Sequence, residues 1–122
     1  MKLRWILFLL INFFSVLPAH AVRLDLETHN ALINQLTEIR THLSPKDASY
    51  LPTTLRLADL LSDRARLSDM ENVDKNQSPK EATRDRTLAI ELMDSVVLSL
   101  NNSQRATVKI KKAQLFQLLK RE

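Results

Sequence analysis

The sequence predicts an all-α protein built from antiparallel helical hairpins, and three observations carry that expectation. Apolar residues recur at three- and four-residue steps through four stretches, with no strong strand alternation to compete. Glycine is absent from all 122 residues, so tight hairpin turns that need positive φ have no obvious supplier. Proline, asparagine and one polar run fall between the periodic stretches, where helices stop and start. Helices are expected over about 24–43, 50–70, 79–100 and 104–120, with a polar loop over 71–79.

Ahead of them, residues 1–21 have the order of a secretory signal peptide. Lys2 and Arg4 form a basic head, Trp5 to Leu17 a mostly apolar stretch, and Ala19-His20-Ala21 an A-x-A exit, with Pro18 ending the apolar helix. The apolar run is shorter than the roughly 20 residues that a bilayer span needs. The expected mature domain is therefore 22–122, exported to the periplasm or secreted, touching a membrane only through the signal segment before cleavage. Without Lys2 and Arg4 the 18 basic residues fall to 16 against 14 acidic ones, a net charge of +2. Only Tyr50 and Phe116 remain of the six aromatic residues, so the core must come from aliphatic side chains. About 100 residues bury a marginal core, which invites a partner or a homo-oligomer.

The first helix has Leu32, Leu36, Ile39 and Leu43 as its apolar stripe, with Asp25 and Glu27 near the positive end of the dipole and Ser44-Pro45 as its stop. Ser49 is the expected N-cap of the second, and Pro52 is tolerated in its first turn. Its stripe of Leu51, Leu55, Ala58, Leu61 and Ala65, widened by Leu57, Leu60 and Leu67, suits neighbours on two sides. After the polar run Ser78, Pro79 and Glu81 form a capping box for the third helix, which places Ala82, Ala89, Met93, Val96 and Leu100 on one face. Asn101-Asn102 is expected to take the left-handed cap conformation, with Ser103 starting the last helix. There Ala106, Ile110, Ala113 and Phe116 are expected inward, with Leu115, Leu118 and Leu119 close by.

Chemistry is excluded more readily than assigned. No cysteine means no disulfide framework and no lipid-modified cysteine after the signal. His29 and His42 stand thirteen residues apart on one helix, off the spacing of a shared face, so they read as solvent-exposed and no metal is expected. G-x-G-x-x-G, P-loop and G-x-S-x-G patterns are missing, which argues against a nucleotide cofactor and a nucleophile-elbow hydrolase. Asp59 and Asp63 lie four residues apart, as a carboxylate pair would in acid–base chemistry, but Arg56, Arg64 and Arg66 surround them and they read as surface ion pairs; with Glu91 they are the acids a carboxylate enzyme would use, and nothing places the three in one cleft. The last helix is basic through Arg105, Lys109, Lys111 and Lys112, yet Phe116 alone is available for base stacking, so nucleic acid is not expected.

Leu57-Ala58-x-x-Leu61 resembles the first helix of a tetratricopeptide repeat, Ala89-x-x-x-Met93-x-x-Val96 its second, and Ala113-x-x-Phe116 the opening of a following repeat. The stretch from Leu32 through Arg66 is similar to the start of exported tetratricopeptide proteins of gliding and predatory bacteria. The resemblance spans about half of the mature chain. It implies stacked hairpins with a concave binding face, in an array that is degenerate or incomplete, the chain being the opening portion of a longer protein. A plain four-helix bundle is the alternative.

The function expected is that of an exported protein–protein interaction module, a scaffold or adaptor for partners in the cell envelope, neither an enzyme nor a cofactor carrier. Its candidate partner contacts are Leu57, Leu61, Met93 and Phe116, which compete with a plain core role. The alternative is a basic helical protein that binds anionic lipid or envelope polysaccharide through Arg105, Lys109, Lys111 and Lys112.

Overall fold

The computed structural model describes residues 25–73 and 79–120. Four helices account for most of them: α1 over 25–42, α2 over Tyr50–Glu71, α3 over Lys80–Ser95 and α4 over Asn102–Lys120. A single 3₁₀ turn, Val97–Ser99, joins α3 to α4, and no strand occurs among the described residues. The signal segment 1–21 and the Ser78 cap lie outside them.

The centre of the fold is the α2–α3 hairpin, whose two helices pack together extensively, with α4 packed against α3. In α2 Thr54, Ala58, Leu61 and Ala65 are sealed from solvent, and in α3 so are Ala82, Arg86, Ala89 and Met93. Both sets advance by alternating four- and three-residue steps, the spacing that keeps one face of a helix on a nearly parallel or antiparallel neighbour. Ala58 and Ala65 of α2 and Ala82 and Ala89 of α3 belong to these sealed sets, and residues so small leave room for a neighbouring helix to pack densely.

Charge ties the two helices together. Asp85 of α3 receives a two-pronged bond from Arg64 of α2, both contacts at 2.7 Å, and the adjacent Arg86 reaches back to Asp69 of α2. Asp85 and Arg86 are buried, and a buried charge is expensive unless it is paired and hydrogen-bonded. A slip of α3 along α2 would separate both pairs. Arg64 also donates to Asn30 of α1 at 2.9 Å, so one guanidinium ties three helices.

On α1 the inward line is Leu26, His29, Ile33, Leu36, Arg40 and Leu43, again in three- and four-residue steps. Ile33 is the buried member, whereas Leu32 and Ile39, expected on this stripe, are exposed. The line is turned because it includes two polar residues with partners on α2. Arg40 donates to Thr54 Oγ1 at 3.0 Å and to the Tyr50 hydroxyl at 2.9 Å, its guanidinium lying 5.1 Å from the Tyr50 ring centre. Such a stack adds cation–π attraction to the hydrogen bond.

α4 departs furthest from expectation. Val108 and Leu115 are buried, with Leu119 packed beside them, while Ala106, Ile110, Ala113 and Phe116 face outward. At about 100° per residue the two stripes lie on opposite sides of the helix. The inner one is chosen with help from Lys111 and Lys112, which reach Asp59 of α2 and Asp94 of α3.

The helix ends also differ. α3 stops at Ser95 rather than near Leu100: Ser95 Oγ donates to the Leu92 carbonyl at 2.6 Å, and Val96-Val97 supplies two β-branched residues that hold a helix poorly. Asn101 takes no left-handed conformation, since no described residue has positive φ. Instead its Oδ1 accepts from Gln104 N at 2.8 Å while Gln104 Oε1 accepts from Asn101 N at 3.0 Å, a reciprocal capping box that starts α4. Ser49 occupies the N-cap position of α2, but its side chain makes no capping bond. The chain enters α2 through a turn in which Ser44 N donates to Asp47 Oδ2 at 2.7 Å and Tyr50 N to the Asp47 carbonyl at 3.0 Å.

Candidate functional site

α1 and α4 flank α2 without closing over it, and the space between them is an open groove of about 640 Å³. His29 and Leu32 form the α1 wall, and Gln114, Leu115 and Leu118 the α4 wall. The floor is the exposed side of α2, with Leu60 at its centre and Arg56, Asp59, Asp63 and Arg66 around it. Asp69 and Arg86 close one end. A smaller hollow of about 190 Å³ between α2, α3 and α4 shares Asp59 with the groove and extends it under the N-terminal half of α4.

The lining has two characters. Leu32, Leu60, Leu115 and Leu118 offer apolar surface from three helices, Leu32 and Leu118 being exposed at the top and Leu60 and Leu115 buried at the bottom. Around them Asp59, Asp63 and Arg66 are already paired. Asp59 accepts from Lys111 at 2.7 Å, and Asp63 takes Arg66 at 2.7 Å on one oxygen and His29 Nε2 at 2.7 Å on the other. Burial pushes the Asp63 carboxyl up, but the hydrogen bonds from Arg66 and His29, with their charges, outweigh it and hold the carboxyl below its ordinary 3.8. On the far side of α2 the Asp85 carboxylate holds the Arg64 guanidinium above its usual range.

His29 is not the exposed histidine that its spacing suggested: its side chain is 15% accessible, with Nδ1 2.6 Å from the Asp25 carbonyl and Nε2 on Asp63. His42 is exposed. His29 thus lines the groove while bonded to α1 and α2 at once. Asp59 and Asp63, the pair four residues apart, share the groove, while Glu91 is exposed on α3 and is not among its lining residues. No group of three or more metal-ligating side chains occurs among the described residues.

Of the partner contacts expected from the sequence, Leu57, Leu61 and Met93 are buried in the core and only Phe116 presents surface, on the outer side of α4. Of the basic set, Lys111 and Lys112 are bound to Asp59 and Asp94, and Arg105 and Lys109 are exposed, Arg105 also reaching the Leu100 carbonyl at 3.3 Å. The groove residues Leu60, Leu115 and Leu118 sat in the sequence as widening members of each stripe. What marks them is their place at the edge of a wide apolar face, where a helix reaches beyond its main neighbour. No family model, curated protein or solved structure matches the chain.

Proposed function

We propose that the chain is an exported helical interaction module, a scaffold or adaptor of the bacterial periplasm, which holds a segment of a partner protein in the groove over α2. The observation that carries this reading is the groove itself, an open hollow with leucines from three helices, Leu32 and Leu118 exposed at its top and Leu60 and Leu115 at its floor, bordered by charges of both signs. An amphipathic segment lays its apolar side chains into such a hollow and meets the rim with its polar ones. The tetratricopeptide resemblance supports the same reading, since an alanine-sealed hairpin beside a concave face is what it implies. The pairing of Asp59, Asp63 and His29 within the fold supports a binding module over an enzyme.

The test is a photo-reactive side chain placed at Leu118 in the groove and, separately, at Glu38, an exposed position of α1 outside it. Irradiation of cells making the full chain should give one discrete adduct from Leu118 and none from Glu38. Equal adducts at both positions, or none at Leu118, would remove the groove as the binding site. Export is tested separately by the N-terminus of the periplasmic protein, which should begin at Val22.

A further inference from the structure

We infer that the outer face of α4 is a second docking surface, and that its occupant is an acidic amphipathic helix of a partner protein, lying along Ala106, Ile110 and Ala113. The inference goes beyond the groove, which is lined by other residues of α4.

Ile110 is 61% exposed and Phe116 48%, and Ala106 and Ala113 are open beside them. This face points away from Val108 and Leu115, so the core cannot use it. Its spacing, Ala106, Ile110, Ala113 and then Gln117, repeats that of the sealed face of α3, Ala82, Arg86, Ala89 and Met93. On such a face alanines seven residues apart leave room for a second helix while the residue between them fills the gap. The same arrangement on α4, with Ile110 between two alanines, is shaped for another helix.

Charge selects the helix. From Asn102 to Lys120 there is no acidic residue. Lys111 and Lys112 are taken up by Asp59 and Asp94. The exposed Arg105, Lys109 and Lys120 fall with Phe116 along one flank of the stripe, whereas the other flank, Ser103, Thr107 and Gln114, is uncharged. An antiparallel second copy would set basic flank against basic flank, and a parallel one would leave both unneutralised. A helix with Asp or Glu along one flank answers the cations and meets the neutral side without penalty. An anionic membrane is the weaker match, because two of the three stripe residues are alanine and an interfacial helix holds by the apolar area it buries.

The experiment uses the full chain and two synthetic helical peptides, both with alanine at seven-residue spacing and leucine between, one flanked by Glu and the other by Lys. The Glu peptide should bind at least about tenfold more tightly than the Lys peptide. Ile110→Asp should abolish that binding, and Arg105→Glu with Lys109→Glu should invert the preference. All three positions are exposed, and an unchanged thermal melt by circular dichroism confirms that each variant is folded. Equal binding of both peptides, or Glu-peptide binding that survives Ile110→Asp, overturns the proposal. So does a dimer in gel filtration that Ile110→Asp dissolves, or phosphatidylglycerol vesicles bound through Ile110 while the Glu peptide is not. Loss of the Leu118 adduct tests the groove alone and leaves this result standing.

Discussion

Ala58 and Ala65 in α2, Ala82 and Ala89 in α3, and Ala106 and Ala113 in α4 share one seven-residue spacing, yet the first four are sealed and the last two face outward. The difference lies in what else each helix offers. α2 and α3 bury their alanines in a hairpin that Arg64–Asp85 and Asp69–Arg86 tie together. α4 has two apolar stripes and spends the one with the larger side chains, Val108, Leu115 and Leu119, on the core. A small-residue stripe therefore does not by itself bury a helix face; it allows burial where a complementary neighbour exists.

The comparison breaks most visibly at the charges of the hairpin. Asp85→Ala removes the acceptor of Arg64, whose side chain is 26% exposed and cannot fully rehydrate. A loss of about 3 kcal/mol is expected, read as a lower urea midpoint at an unchanged slope. Replacing Arg64 and Asp85 together by Met and Leu should recover much of that loss, because no charge is then left stranded. If the double variant is as unstable as the single one, the pair is not what ties α2 and α3 together.

Next in size is the contrast within and between helices. Leu115→Ala should cost about 2 kcal/mol through the cavity it leaves, while the neighbouring Phe116→Ala stays within about 0.5 kcal/mol. Ala65→Leu should cost about 2 kcal/mol by forcing α2 and α3 apart, and Ala113→Leu should change little. Comparable losses for the two members of either pair would mean that α4 packs through its outer stripe.

Much of this architecture is legible in the sequence, and the residues that are not share a cause. The four helices follow from spacing, and the alanine-leucine face of α2 with the matching face of α3 follows from their apolar steps. The face of α4 does not follow, because Ala106-Ile110-Ala113 and Val108-Leu115 are both helical stripes and only the acids on other helices choose between them. The same holds for charged residues inside the fold. Asp85 and Arg86 give no signal in a search for apolar steps, although Arg86 stands at the inward position between Ala82 and Ala89. His29 and Arg40 complete the inward line of α1, but an apolar-only search passes over them. The groove escaped for a further reason: it exists only where α1 and α4 stand apart on α2, which is a property of three helices and of no single pattern.

The smallest expected effect sharpens the contrast between the buried hairpin charges and those on the groove rim. Asp63 is held below its ordinary 3.8 by Arg66 and His29, despite the burial that pushes it up. A carboxyl with a lowered folded-state pKa adds stability above its unfolded value and loses it as the pH falls through the folded one. The gap in urea midpoint between the wild type and Asp63→Asn should therefore be full above 3.8 and close below it. Its size should stay under about 1 kcal/mol, since the Asp63 side chain is 41% exposed and water screens it. Salt separates the two partners. Arg66 is the more exposed, so raising the ionic strength should remove its share first and leave the part that rests on His29, which is sheltered between α1 and α2. A gap that persists unchanged well below 3.8 would show that Asp63 contributes through packing and not through its charge.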